Sequence, residues 1–270
     1  MPADLIYLYA IVAEDSPAAT TLEAGDQSGL ASSLPLFPVT AGGLAAIASV
    51  VPADLRELLD GAAAPPDLKR LAPFAVRHEE TIRSLLPLAP ALIPLGFGAV
   101  YRDRESVASF LNREEETLRR LLARLNQKEE WTLKVYRDEA RAVAAAETAS
   151  PALREIDAAI TVAGPGRAHL LRKRREQVRQ AAIEHAEQAV LEDVFAALAS
   201  RAIAAQADEV LGEPGAAERL VLKVACLLAR DDAPRFAEWL ADLERARADD
   251  GLRMELTGPW APYSFVRSAS

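Results

Sequence analysis

Leu5-Ile6-Tyr7-Leu8-Tyr9-Ala10-Ile11-Val12 is an unbroken apolar run rich in β-branched and aromatic residues. Such a run suits a strand buried on both faces, because no position alternates toward water. At eight residues it is far too short to span a bilayer. A buried central strand needs partners on either side and layers above and below it. The text downstream supplies them: Leu36-Phe37-Pro38-Val39 and Leu44–Val51 flank Gly42-Gly43, the signature of a hairpin turn. Pro52 and Asp54 suit the first turn of a short helix ending near Leu59, and Pro65-Pro66 interrupts the pattern. A second helix over about 70–86 carries Phe74, Val76, Ile82, Leu85 and Leu86.

Leu92-Ile93-Pro94-Leu95-Gly96-Phe97-Gly98-Ala99-Val100 then reads as a strand, but one containing Pro and Gly. It is therefore expected at a sheet edge or with a local bulge. Helix 104–126 follows, with Val107, Phe110, Leu111, Leu118, Leu121, Leu122 and Leu125 at helical spacing. The order of three strands, helix, strand and helix predicts a modified ferredoxin-like α+β domain over residues 1–128.

A second α+β domain is expected over 129–270. Glu130–Tyr136 alternates as a strand, and helical text from about 138 to 210 reads as a long helical hairpin or coiled-coil arm. The arm is broken at Ser150-Pro151, where Ser can cap and Pro can begin a helix, and at Gly164-Pro165-Gly166. Glu213-Pro214-Gly215 ends the arm. A strand at Leu220–Cys226, a helix at about 232–248 and a strand at 252–257 complete the domain. From there the chain enters Gly258-Pro259-Trp260-Ala261-Pro262-Tyr263-Ser264-Phe265. Gly258 is expected to turn the chain out of the last strand, and the two prolines to stop its ladder. Burying one large apolar side chain is worth roughly 1.5–3 kcal/mol. Trp260, Tyr263 and Phe265 are therefore expected to clamp the C-terminal domain.

Composition narrows the function. The 270 residues are 50% hydrophobic but only 6% aromatic, which favours helix packing through Ala and Leu. A net charge of −9 argues against general nucleic-acid binding, which calls for a basic footprint. Met1-Pro2-Ala3-Asp4 lacks the basic region of a signal peptide, and no apolar run is long enough to span a membrane. A cytoplasmic protein is expected. Cys226 is the only cysteine, so neither an intrachain disulfide nor a cysteine-based zinc cluster can form, and it reads as a small buried hydrophobe.

Candidate chemical motifs fall short. His78-Glu79-Glu80-Thr81-Ile82 begins like a zinc-protease helix, but Ile82 stands where the second histidine belongs. Gly96-Phe97-Gly98 lacks the helix and lysine of a phosphate loop, and Glu114/Glu115 reads as a solvated helix face. Arg172-Lys173-Arg174-Arg175 fans around its helix, as a solvated turn or as an ion-pairing site for an acidic partner helix. No catalytic residue, metal ligand or cofactor site is assigned.

Several segments taken together resemble the gas vesicle protein F/L family. They are Ile6–Val12, His78-Glu79, Ile93–Tyr101, Glu130–Val135 and Gly258–Val266, in the family's order and across nearly the whole chain. Two positions depart from the family pattern. Gly96 stands where an arginine is common, and Ala261 where a proline is common. The resemblance implies a non-enzymatic accessory protein of gas vesicle assembly. Its implied partners are the small hydrophobic shell protein and other gas vesicle accessory proteins. Pro94, Leu95, Phe97, Val100 and Tyr101 form the expected partner-binding edge, since a Pro/Gly-marked edge could accept a guest strand. Gly258, Pro259, Trp260, Pro262, Tyr263 and Phe265 form the expected structural tail. The competing reading is a small-ligand-binding regulatory module built on a ferredoxin-like sheet.

Overall fold

The structure is a computed structural model that describes residues 5–24, 28–31, 33–60, 68–210 and 218–267. Met1–Asp4, the Pro65-Pro66 break and the Glu213-Pro214-Gly215 turn lie outside these residues. The protein is α+β and divides into two compact units. One comprises Met1–Glu130 with Pro259–Ser270, the other Trp131–Gly258. The aromatic tail, expected in the second domain, thus groups with the first.

In the first unit, β1 (Ile6–Ala13) is followed by a single turn, α1 (Pro17–Thr20). The hairpin β2 (Phe37–Ala41) and β3 (Leu44–Val50) comes next. Gly42 and Gly43 both have positive φ, +58° and +69°, as a two-residue turn between twisted strands requires. Helices α2 (Ala53–Asp60) and α3 (Leu68–Leu85) lead to two bridge-length strands, β4 (Ile93–Pro94) and β5 (Val100–Tyr101). Helices α4 (Arg104–Arg113) and α5 (Glu115–Leu125) follow. The sheet order is β2-β3-β1-β4, with β5 also on β1, and each of these pairs is antiparallel.

β1 is central and buried along its length, as its sequence demands. Its register against β3 shifts between Leu8 and Ala10. A bulge reverses the alternation of side chains. Tyr7 and Tyr9 before the shift, and Ala10 and Val12 after it, accordingly join one core with Ile82, Leu85 and Leu86.

The single helix expected over 104–126 is two. At Glu114 the backbone leaves helical geometry (φ −98°, ψ 8°), yet its N–H still reaches the Phe110 carbonyl and its carbonyl accepts the Leu118 N–H. The apolar stripe continues through the bend, from Val107 and Leu111 to Leu118, Leu122 and Leu125, all buried. Periodicity alone therefore could not show it.

The second unit carries β6 (Lys128–Asp138, whose first residues belong to the first unit), α6 (Glu139–Ala149), α7 (Pro151–Val162) and α8 (Pro165–Ala199). Ser150 caps α7 through Leu153 N, and α6 and α7 pack back along the 35-residue α8 as a helical arm. The arm's helix stops at Ala199 rather than near 210. Ala204–Asp208 is instead β7, paired antiparallel with β8 (Glu218–Ala229) from Ala204↔Leu227 to Asp208↔Lys223. Three of its five residues are alanines with helical preference, so sheet pairing overrides local propensity here. Helix α9 (Ala233–Ala246) and β9 (Leu252–Trp260) complete the unit's order, β7-β8-β6-β9. One core gathers Val194 and Leu198 of α8, Phe236 and Leu240 of α9, and Leu133, Val224, Cys226 and Met254 of the sheet.

At the root of the arm lies an ion network built around the buried Arg137. Arg137, 2% exposed, meets Glu187 at 3.1 Å, and Arg219 meets the same Glu187 at 2.6 Å and Glu139 at 2.5 Å. This network ties α8 to β6, β8 and α6.

Candidate functional site

The Pro94–Tyr101 segment forms the outer margin of the first unit's sheet. It touches β1 at both ends: Ile93 and Pro94 oppose Ile11 and Ala10, and Val100 and Tyr101 oppose Tyr7 and Ile6. Leu95 N–H donates to the Tyr9 carbonyl at 2.8 Å, and Leu8 N–H to the Ala99 carbonyl at 2.9 Å. Between these anchors, Gly96-Phe97-Gly98 bows away from the ladder, and Gly98 adopts φ +96°, open to glycine at little cost. The edge strand is thus interrupted by a turn, as its Pro and Gly imply.

The named residues of this segment are placed unequally. Pro94 is buried and shapes the edge. Leu95, Val100 and Tyr101 are half-buried, Tyr101 with its ring 5.4 Å from that of Phe110. Phe97 is 37% exposed at the tip, its inner edge near Tyr7 and His78 with ring centres 6.2 and 5.9 Å away. Nothing lies within 4 Å of where a β-carbon would stand on Gly96 or Gly98.

Behind this turn sits a polar cluster absent from the sequence reading. His78 of α3, fully buried, places Nδ1 2.9 Å from the Tyr7 hydroxyl and Nε2 3.0 Å from the Leu95 carbonyl. A carbonyl can only accept, so Nε2 carries the proton and Nδ1 accepts from Tyr7. The Tyr7 oxygen in turn accepts the Gly98 N–H at 3.1 Å. The Tyr263 hydroxyl lies 3.3 Å from Nε2 and donates to Glu79 at 2.9 Å. The chain of bonds is satisfied with neutral imidazole. Burial lowers the His78 pKa, opposed by the charge of Glu79 and the bond to Leu95. Burial likewise pushes Tyr9 up to about 12 and Tyr7 higher still.

The tail completes the cluster from the other side. β9 continues through Gly258 and Pro259 to Trp260, so the ladder does not stop where the prolines suggested. β9 is an edge strand, where a missing donor is tolerated. Gly258 is required on two counts: its φ is +154°, and a β-carbon there would stand 2.7 Å from the Trp131 ring. Trp260 then lies under the Arg83 guanidinium at 4.8 Å. Pro262 is buried, and a short helix α10 (Tyr263–Arg267) drives Phe265 to complete burial. The buried Glu130 carboxylate accepts from Ser264 N at 2.9 Å and Ser264 Oγ at 2.8 Å. The tail is therefore a latch within the first unit, not a clamp on the second.

Chemically, this arrangement fixes a loop. The Tyr7–His78 pair is buried and hydrogen-bonded to backbone on both sides. Among the described residues no cluster of three or more His, Cys, Asp or Glu could hold a metal, and no helix is long and apolar enough to cross a membrane. His78 shares a helical stripe with Ile82 and Leu85, four and seven residues on. A lone histidine on an apolar stripe was the available sign of a buried, hydrogen-bonded role.

Comparison with known proteins supplies the family. Residues 5–267 match the family model for "Gas vesicle synthesis protein GvpL/GvpF". The chain belongs to this family, whose proteins are accessory to gas vesicle assembly and form no known enzyme family. It is similar to gas vesicle protein L of Streptomyces sp. (strain CB03234), with 30% identity across 83% of this chain and 80% of that protein. Similarity to gas vesicle protein F of the same organism is 29% identity across 87% and 95%. The fold matches the crystal structure of GvpF from Anabaena sp. PCC7120, with a TM-score of 0.74 over 98% of both chains at 17% identity. It also matches GvpF from Microcystis aeruginosa, with a TM-score of 0.67 over 97% of this chain and 98% of that one at 19% identity.

Proposed function

We propose that this gas vesicle assembly protein binds the small hydrophobic shell protein before polymerisation, keeps it soluble and supports nucleation of the vesicle wall. The carrying observation is Phe97: a large apolar ring exposed at the margin of a sheet, on a turn that His78 and Tyr7 hold in place. Exposed apolar side chains on a fixed frame suit protein contacts, and subunits that expose apolar surface before assembly aggregate unless covered. Leu95, Val100 and Tyr101 flank the ring as the rest of the contact. Pro94 serves by blunting the edge against indiscriminate strand pairing.

Co-expression of the tagged chain with the shell protein tests this reading. Wild type is expected to retain shell protein in the soluble fraction, and Phe97→Asp to lose it while its circular dichroism spectrum and cooperative melt show that the chain still folds. Full retention by Phe97→Asp, or no retention by wild type, would overturn the proposal.

A further inference from the structure

We infer that the outward face of α8 is a docking surface for a second copy of this chain, packed antiparallel to the first. The argument begins with how charge is laid along the helix. Residues 165–180 contain Arg167, Arg172, Lys173, Arg174, Arg175 and Arg179 against a single acid, Glu176. Residues 181–199 contain Glu184, Glu187, Glu192 and Asp193 with no lysine or arginine. The first turn holds Arg167 and no acid, so the distribution runs against the helix dipole. Stability of the isolated helix does not explain it.

Part of this charge is used inside the arm. Arg175 and Arg179 turn back to Asp157 and Glu147, while Glu187 belongs to the Arg137–Arg219 network. What remains lies on the opposite, exposed stripe: Leu170, Arg174, Gln177, Ala181, Glu184, Gln188 and Glu192, spaced three and four residues apart. Leu170 is 67% exposed. Arg174 has no ion-pair partner among the described residues. Glu184 and Glu192 are held only by the glutamines one turn earlier, at 2.9 and 2.8 Å. Beside Glu184 and Glu192, Leu191, Phe195 and Leu222 floor an apolar groove of about 420 Å³.

This stripe is complementary to itself. A two-fold axis crossing the helix near Ala182–Glu184 brings Leu170 of one copy over Phe195 of the other, and Arg174 over Glu192. Gln177 then opposes Gln188, and the small Ala181 lies at the crossing. Every such contact occurs twice, as in any isologous interface. At 1.5 Å per residue the seam from Leu170 to Phe195 is about 38 Å long. Each exposed apolar end finds the other copy's apolar groove, and each unpaired cation finds an unpaired anion. An unrelated acidic helix would satisfy Arg174 but repel Glu192, whereas a second copy matches both, which is why it is the occupant the charges favour. Glu184 faces Ala181 beside the axis and keeps its bond to Gln180.

Sedimentation equilibrium of the full chain over a concentration series is the test, with circular dichroism melts to show that each variant folds. Wild type is expected to form a reversible dimer. Arg174→Glu, and separately Glu192→Arg, is expected to weaken it roughly tenfold or more, since each change acts at two symmetric pairs. The double variant Arg174→Glu/Glu192→Arg rebuilds both pairs with reversed polarity and is expected to return to within a few-fold of wild type. A chain that stays monomeric at its highest soluble concentration overturns the inference. So does a dimer indifferent to the single changes, or a double variant no better than the singles.

Discussion

The latch of the first unit and the outer face of α8 use opposite means of engaging other groups. In the latch, Phe265 is fully buried, Ser264 satisfies Glu130, Tyr263 binds Glu79, and the hydroxyls of Tyr7 and Tyr9 are hydrogen-bonded. On α8, Leu170 and Arg174 face water, and Glu192 touches only the glutamine one turn before it. Aromatic content marked the tail for burial, expected against the C-terminal domain. Its side chains are consumed by its own unit, whereas the helical arm, modest in sequence, keeps its outward groups unmatched. The comparison yields a ranking: substitutions in the latch should be read out in stability, and those on the α8 face in association.

The largest effect is expected at Phe265. Truncation to alanine empties a fully buried aromatic site and should cost about 3–5 kcal/mol in denaturant unfolding. A loss below about 1 kcal/mol would mean that the tail is not part of the first unit's core. Tyr7→Phe comes next. It keeps the ring but removes the hydroxyl that links His78 Nδ1 to Gly98 N, leaving an acceptor and a donor unmatched, and should cost about 1–3 kcal/mol. Hydrogen exchange should also quicken at Gly98 while the α8 amides stay protected, a local signature that uniform destabilisation would lack.

The same cluster gives the latch a pH dependence with a definite sign. His78 titrates near 6.5 in the unfolded chain and lower in the folded one, because burial opposes its charge. Below that pH the unfolded state binds more protons, so stability is full above about 6.5 and falls as pH drops through the folded value. Protonation would also force Nδ1 to donate, depriving the Tyr7 hydroxyl of its acceptor. Melting temperature should therefore fall between pH 7 and 5.5 in wild type. In His78→Gln, which does not titrate, that slope should largely vanish whatever the variant's absolute stability.

Local pattern carried much of the fold because the residues that decide it are unambiguous nearby. Ile6–Val12 could only be a buried strand, Gly42-Gly43 sits where two positive φ values are needed, and Ser150-Pro151 marks a real helix junction. What escaped depends on contacts distant in sequence. β7 is strand because Ala204–Asp208 meets β8. The Tyr7–His78 bond joins residues 71 apart, and the bulge that aligns Tyr7, Tyr9, Ala10 and Val12 exists only against β3. The expected contact edge was only partly legible: Pro and Gly revealed a broken strand, but not that Pro94 would be buried and Phe97 displayed. Gly96, one of the two positions read from the sequence as departing from the expected family pattern, stands in open space. Gly96→Arg should accordingly change stability by no more than about 0.5 kcal/mol.

The smallest effect on stability belongs to the other side of the comparison and bears most directly on what the α8 face is for. Arg174→Glu removes a charge that pairs with no acid among the described residues, so its unfolding free energy should stay within about 0.5 kcal/mol of wild type when measured on dilute monomer. At concentrations where wild type dimerises, the variant should lose the extra stability that association adds by mass action. The two denaturation curves would then converge on dilution and separate as protein is added. A cost independent of concentration would instead tie Arg174 to the fold of its own arm, and would dissolve the contrast between a latch that is spent and a face that is free.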